Sequence, residues 1–169
     1  MRHKSFTPEE VCRVDTSNLI KDVLGDEYRE LTIDSFSFEE HYSDPSKPLE
    51  VRLVCSLSAP TLQSEIDATG VGVLDAAFKG LQSFLGDKYK SLMHISLYSF
   101  YVYTNLHSPA SVESTEDNIT IVVEFTNAYG KVVPFRSSSY SLTESMVLCL
   151  SSAFEYYINS ECCFLKLRS

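Results

Sequence analysis

Leu31-Thr32-Ile33-Asp34-Ser35-Phe36-Ser37-Phe38 is the stretch whose reading decides the fold. Apolar and polar residues alternate as in a strand with one buried face, but the phase slips by one residue between Ile33 and Phe36. Ile95-Ser96-Leu97-Tyr98-Ser99-Phe100-Tyr101-Val102 carries the same slip 64 residues later. A shared slip suggests a shared bulge or bend at the same place in two equivalent strands. The match extends outward. Val51, Leu53, Cys55 and Leu57 alternate in one strand, and Ile119, Ile121, Val123 and Phe125 repeat them 68 residues later. The next strand, through Leu62, Ile66 and Ala68, puts Ile66 in register with Phe135 at an offset of 69. After it the period becomes helical. Leu74, Ala77, Phe78, Leu81 and Leu85 form one apolar stripe. Asp75–Leu81 matches Glu144–Leu150, again at 69, in a helix with the stripe Met146, Cys149, Leu150, Ala153, Phe154 and Tyr157. Asn127-Ala128-Tyr129-Gly130 is a hairpin turn. Offsets that change only in loops mark an internal repeat.

The fold expected is therefore α+β: two β-β-β-α units related by a pseudo-two-fold, with antiparallel sheets and helices packed against them. Unit one spans 28–86 and unit two 88–160, after a helical lead-in over 1–27 and before a tail over 161–169. Neither three-stranded unit can bury its apolar face alone, so the two must share a core. In the lead-in, Thr7-Pro8-Glu9-Glu10 is a capping box with proline in the first turn. Asp15, Thr16 and Ser17 are expected to break it into two short helices, the second stopped by Gly25. Gly86 is read as the residue after the first repeat helix.

Length and charge set limits. The chain has 169 residues, 44% of them hydrophobic, and 14 Lys and Arg against 23 Asp and Glu, for a net charge of −9. It is too apolar for a disordered chain, too acidic for a nucleic-acid binder and too short for a catalytic (β/α)8 barrel. No apolar segment follows Met1-Arg2-His3-Lys4, so no signal peptide is read. Ser91–Val112 lacks Asp, Glu, Lys and Arg, but its interleaved polar residues and Pro109 read as strand, not membrane span. Cys12, Cys55, Cys149, Cys162 and Cys163 have no zinc or disulfide spacing. Cys55 and Cys149 fall on apolar faces and read as small core residues, and Cys162 and Cys163 read as exposed residues of the tail. This cysteine usage reads as a reducing, cytoplasmic setting. His3, His41, His94 and His107 lack metal-ligand spacing, with His94 placed on a strand and the others in termini or loops. Glu39-Glu40 and Glu113 with Glu116-Asp117 read as solvated loops. No nucleophile elbow, phosphate loop or kinase motif occurs, and neither metal nor cofactor is expected.

The most informative local feature is Gly70-Val71-Gly72-Val73-Leu74-Asp75-Ala76, where a strand ends on two glycines and a helix begins. Glycine allows positive φ and close approach of another group, and free N–H groups at a helix start favour a carboxylate or phosphate. A tight turn needing glycine for geometry alone is the plainer reading. The equivalent turn, Ser137-Ser138-Ser139-Tyr140-Ser141, offers hydroxyls, with Ser141 as N-cap. The two turns could frame a small ligand.

These residues resemble the C-terminal allosteric, or dimerisation, domain of the α-isopropylmalate synthase and citramalate synthase family over about Tyr28 to Asn159. That family carries a Gly-x-Gly-Pro-x-Asp-Ala-like turn in its first unit and a small-residue turn in its second, with an Ile-Asn near the last helix end, matched here by Tyr157-Ile158-Asn159. The resemblance implies a homodimer, with leucine or isoleucine bound as feedback inhibitor near the dimer interface. It implies that Gly70, Val71, Gly72 and Ala76 line one side of the pocket and Ser137, Ser139 and Tyr140 the other. It implies no catalysis by this chain, and a synthase catalytic barrel or subunit as its partner. The alternative is an assembly-only dimerisation module without ligand. Val73 in place of the family proline, and the missing glycines of the second turn, favour that alternative.

Overall fold

The structure is a computed structural model that describes residues 7–42, 44, 46–59, 62–104 and 119–168. His3, His107, Pro109, Glu113, Glu116 and Asp117 lie outside the described residues. The element order is α1 (Pro8–Leu24), β1 (Thr32–His41), β2 (Glu50–Ala59), β3 (Leu62–Val71), α2 (Val73–Gly86), β4 (Ser96–Thr104), β5 (Ile119–Thr126), β6 (Val132–Ser139) and α3 (Leu142–Arg168). Two antiparallel sheets form, ordered β1-β2-β3 and β4-β5-β6. Each is followed by its helix, as the repeat requires.

The bulge sits where the phase slip puts it. Ile33 pairs Leu57 and Ser35 pairs Ser56, leaving Asp34 as the extra residue. In the other unit Leu97 pairs Phe125 and Ser99 pairs Glu124, leaving Tyr98. The registers agree across the repeat: Cys55 lies between Phe36 and Ile66, and Val123 between Phe100 and Phe135. Val51, Leu53, Cys55 and Leu57 of one sheet and Ile121, Val123 and Phe125 of the other join the buried faces of α2 and α3 in a single core. Phe78 of α2 meets Phe125 at 6.0 Å and Phe154 of α3 at 5.8 Å, ring centre to ring centre.

Two reciprocal hydrogen bonds express the pseudo-two-fold. Gln82 of α2 donates to the Ile95 carbonyl at 3.2 Å, and Ser151 of α3 donates to the Leu31 carbonyl at 2.8 Å. Gln82 and Ser151 are equivalent at the offset of 69, and Leu31 and Ile95 at 64. Each helix thus holds the chain just before the first strand of the other unit.

Several expectations are corrected. The lead-in is one helix from Pro8 to Leu24. The Thr16 and Ser17 hydroxyls bond back to the Cys12 and Arg13 carbonyls, at 2.8 and 3.0 Å, so they satisfy themselves inside the helix instead of ending it. The capping box is present, with Glu10 N–H to Thr7 Oγ1 at 3.2 Å and Thr7 N–H to Glu10 Oε2 at 2.7 Å. Gly86 is the last residue of α2 and has no positive φ. Its missing side chain makes room for Met93. His94 ends a 3-10 turn, Lys90–His94, where Ser91 N–H donates to Glu161 at 2.8 Å. His41 and Glu39-Glu40 belong to β1, exposed, because β1 is an edge strand with a solvated outer face.

Residues 161–168 continue α3, whose 27 residues span about 40 Å. Tyr157-Ile158-Asn159 therefore falls within the helix, not at its end. The extension packs against α1, burying Cys163 with Ile20 and Leu24 and leaving Cys162 partly buried. Cys149 Sγ–H points to the Phe135 carbonyl at 3.1 Å, and burial pushes its thiol up to about 12. A thiol titration of the native protein should therefore modify exposed Cys12 fast, and Cys55, Cys149 and Cys163 only on unfolding. Fast modification of Cys163 would contradict the packing of α1 on α3. No helix among the described residues is long and apolar enough to cross a membrane.

Candidate functional site: the two strand-to-helix turns

The glycine turn is built by close approach. A Cβ on Gly70 would stand 2.5 Å from the Ala76 nitrogen and 2.7 Å from its Cα. Gly70, one residue before the end of β3, therefore lies against the first turn of α2, and Ala76 is fully enclosed beneath it. Gly72, the N-cap, has φ 86° and ψ 166°, a region that is almost glycine-only. Its carbonyl accepts from Ala76 N–H at 3.1 Å. Gly72→Ala should cost about 1–3 kcal/mol through backbone strain alone, since its Cβ would meet open space. Gly70→Ala should cost a similar ~1–3 kcal/mol through overlap with backbone, without φ strain. Urea unfolding of both variants checks this, and a change below about 0.5 kcal/mol in either would contradict the turn geometry.

Asp75 closes this turn. Its Oδ2 accepts from Val71 N–H at 2.8 Å and from Lys79 Nζ at 2.7 Å. Partial burial pushes this carboxyl up, but the Lys79 ammonium and the Val71 N–H outweigh that and hold it below its ordinary value. A negative charge thus already stands at the α2 N-terminus, where the dipole favours one. Val71 itself is 60% exposed.

The serine turn replaces contact by hydrogen bonds. Ser139 Oγ accepts from Ser141 N–H at 3.1 Å and shares a hydrogen bond with Ser145 Oγ at 2.8 Å. Ser141 Oγ caps the helix, accepting from Glu144 N–H at 3.3 Å. Ser145 Oγ also donates to the Ile119 carbonyl at 3.0 Å and is fully buried. Ser139 and Ser145 stand where Gly70 and Ala76 stand in unit one, so a hydroxyl pair occupies the space that a bare backbone contact fills there. The offset of 69 already pairs Ala76 with Ser145 in the sequence, and that was the signal for its role. Tyr140, equivalent to Val71, is 68% exposed. Ser137 is half-buried on β6, paired with Ile121.

The seven residues therefore form two groups. Gly70, Val71, Gly72 and Ala76 meet in one turn; Ser137, Ser139 and Tyr140 belong to the other. The hydrogen bonds of each turn stay within its own unit. Among the described residues, no three His, Cys, Asp or Glu side chains converge as metal ligands.

The lead-in is tied down by charge. Glu10, 1% exposed, takes both arms of the Arg136 guanidinium, Nε at 2.7 Å and Nη2 at 3.2 Å. Burial pushes this carboxyl up, but the Arg136 guanidinium and the Thr7 N–H hold it below its ordinary value. No protein-family model matches the chain, and no curated protein matches it either.

Proposed function

We propose that this chain is a non-catalytic regulatory domain that pairs with a second copy and responds to a free branched-chain amino acid. The model for it is the leucine or isoleucine feedback domain of α-isopropylmalate or citramalate synthase. The observation that carries the reading is the pair of equivalent turns. One requires glycine at Gly70 and Gly72, one is hydroxyl-lined, and each presents one exposed side chain, Val71 or Tyr140, at the same position of its unit. Pairing is supported by the inner face of edge strand β4, where Phe100 and Val102 are 51% and 42% exposed. A synthase catalytic subunit is the natural target of such a domain.

A second reading, assembly without ligand, is favoured by one specific observation. Asp75 already holds the Val71 N–H that an incoming carboxylate would use. Titration calorimetry with leucine and isoleucine separates the two readings. In the sensor reading wild type binds one of them, and Val71→Asp, which adds a charge at an exposed site, loses that binding while keeping its sedimentation mass. Heat-silent titrations of a protein that sediments as a dimer favour assembly. A monomer that binds neither amino acid contradicts both.

A further inference from the structure

We propose that the cavity between α1 and α3 binds a small aliphatic carboxylate, whose charged end pairs with the guanidinium of Arg13. Arg13 is half-buried, and its Nε is closed off from solvent without a hydrogen-bond partner. Its side chain makes neither hydrogen bond nor ion pair among the described residues; its guanidinium lies over the Phe135 ring at 4.9 Å. A guanidinium held over an aromatic face, with no hydrogen bond to its fork among the described residues, can take a two-oxygen anion. Glu10 attracts this guanidinium but spends its hydrogen bonds on Arg136, and closing off the Arg13 Nε without a hydrogen bond is a cost the fold carries.

The cavity beside it has a volume of about 200 Å³. At ~30 Å³ per water that is room for about six or seven waters, hence a ligand of similar heavy-atom count. Val14, Ile20 and Tyr156 supply apolar wall for an alkyl chain. Lys21, stacked on Tyr28 at 4.8 Å, adds a second positive charge. Glu155 also faces the space, and accepts from Tyr28 O–H at 2.6 Å and Leu31 N–H at 3.0 Å. Its remaining lone pairs give an α-ammonium group a place, so an amino acid and its deaminated acid share the carboxylate chemistry. The site uses neither turn and goes beyond the function proposed above.

The test follows the Arg13 Nε–H resonance in nitrogen-15 spectra of the full chain, titrated separately with isovalerate, L-leucine and inorganic phosphate. Saturable movement with isovalerate or leucine, at least about tenfold weaker binding in Arg13→Gln and an intermediate loss in Arg13→Lys support the site. Tighter binding of leucine than isovalerate assigns the ammonium to Glu155. No movement with either acid overturns the proposal, as does equal affinity in Arg13→Gln or phosphate binding as tightly as isovalerate. Should Arg13→Gln fail to fold, the wild-type resonance and Arg13→Lys decide. Leucine binding that survives in Arg13→Gln but is lost in Val71→Asp overturns this site and leaves the turn reading intact.

Discussion

Replacing Phe78 by alanine is expected to cost about 3–5 kcal/mol of folding stability. Phe78 belongs to unit one, yet its ring packs on Phe125 and Phe154 of unit two. It is buried to 7% exposure in the shared core, and its removal leaves a hole beside Phe125 and Phe154. Native domains hold only about 5–15 kcal/mol in total, so the variant should sit close to unfolding. Because the core is shared, both units should melt together, in one transition. Equilibrium urea unfolding, followed by far-ultraviolet circular dichroism and by tyrosine fluorescence, reads both the size and the cooperativity. A loss under about 1 kcal/mol, or two separate transitions, would show that the units do not depend on each other.

The second large effect is expected at Glu10. Glu10→Ala removes the carboxylate that takes both Arg136 arms and completes the capping box. Breaking a buried ion pair from one side costs about 3–5 kcal/mol. Arg136 keeps 21% side-chain exposure and so some hydration, which places the loss at the lower end, about 3 kcal/mol. The pH dependence has a definite sign. The folded-state value of Glu10 lies below its ordinary one, so its contribution is fully present above the unfolded value of about 4.3. It fades as pH falls through the lower folded value. The stability gap between wild type and Glu10→Gln should therefore be widest near neutrality and narrow in acid. A gap that widens as pH drops would contradict the ion pair.

The repeat was legible because sheet register is written in period-two alternation, and an extra residue flips that alternation visibly. The bulges at Asp34 and Tyr98 are the clearest case. Element ends were less legible. Asp15, Thr16 and Ser17 have the composition of a break, but a helix interior tolerates hydroxyls that bond back one turn, and α1 is held by packing on α3. The end of α3 was hidden because its last turns face α1 rather than either sheet. Gly86 shows the limit of reading glycine as a stop: its small size admits Met93, seven residues on, a contact that patterning does not reveal. In the turns, Gly70, Gly72 and Ser141 carry out the local roles their residue types suggest. Asp75 as the internal anion and Ser145 as the buried link to Ile119 depend on tertiary geometry. The seat of the Arg13 guanidinium over Phe135 depends on it too, since α1 meets that ring across 122 residues of chain.

Thermal unfolding of the wild-type chain against free leucine, isoleucine and valine tests the regulatory reading most directly. A ligand at 100 times its dissociation constant adds about 2.7 kcal/mol, enough to raise the midpoint of a domain this size by several degrees. The account predicts such a rise with leucine or isoleucine, saturating with concentration. An unchanged midpoint with all three amino acids at millimolar levels would contradict it and leave the chain as an assembly module.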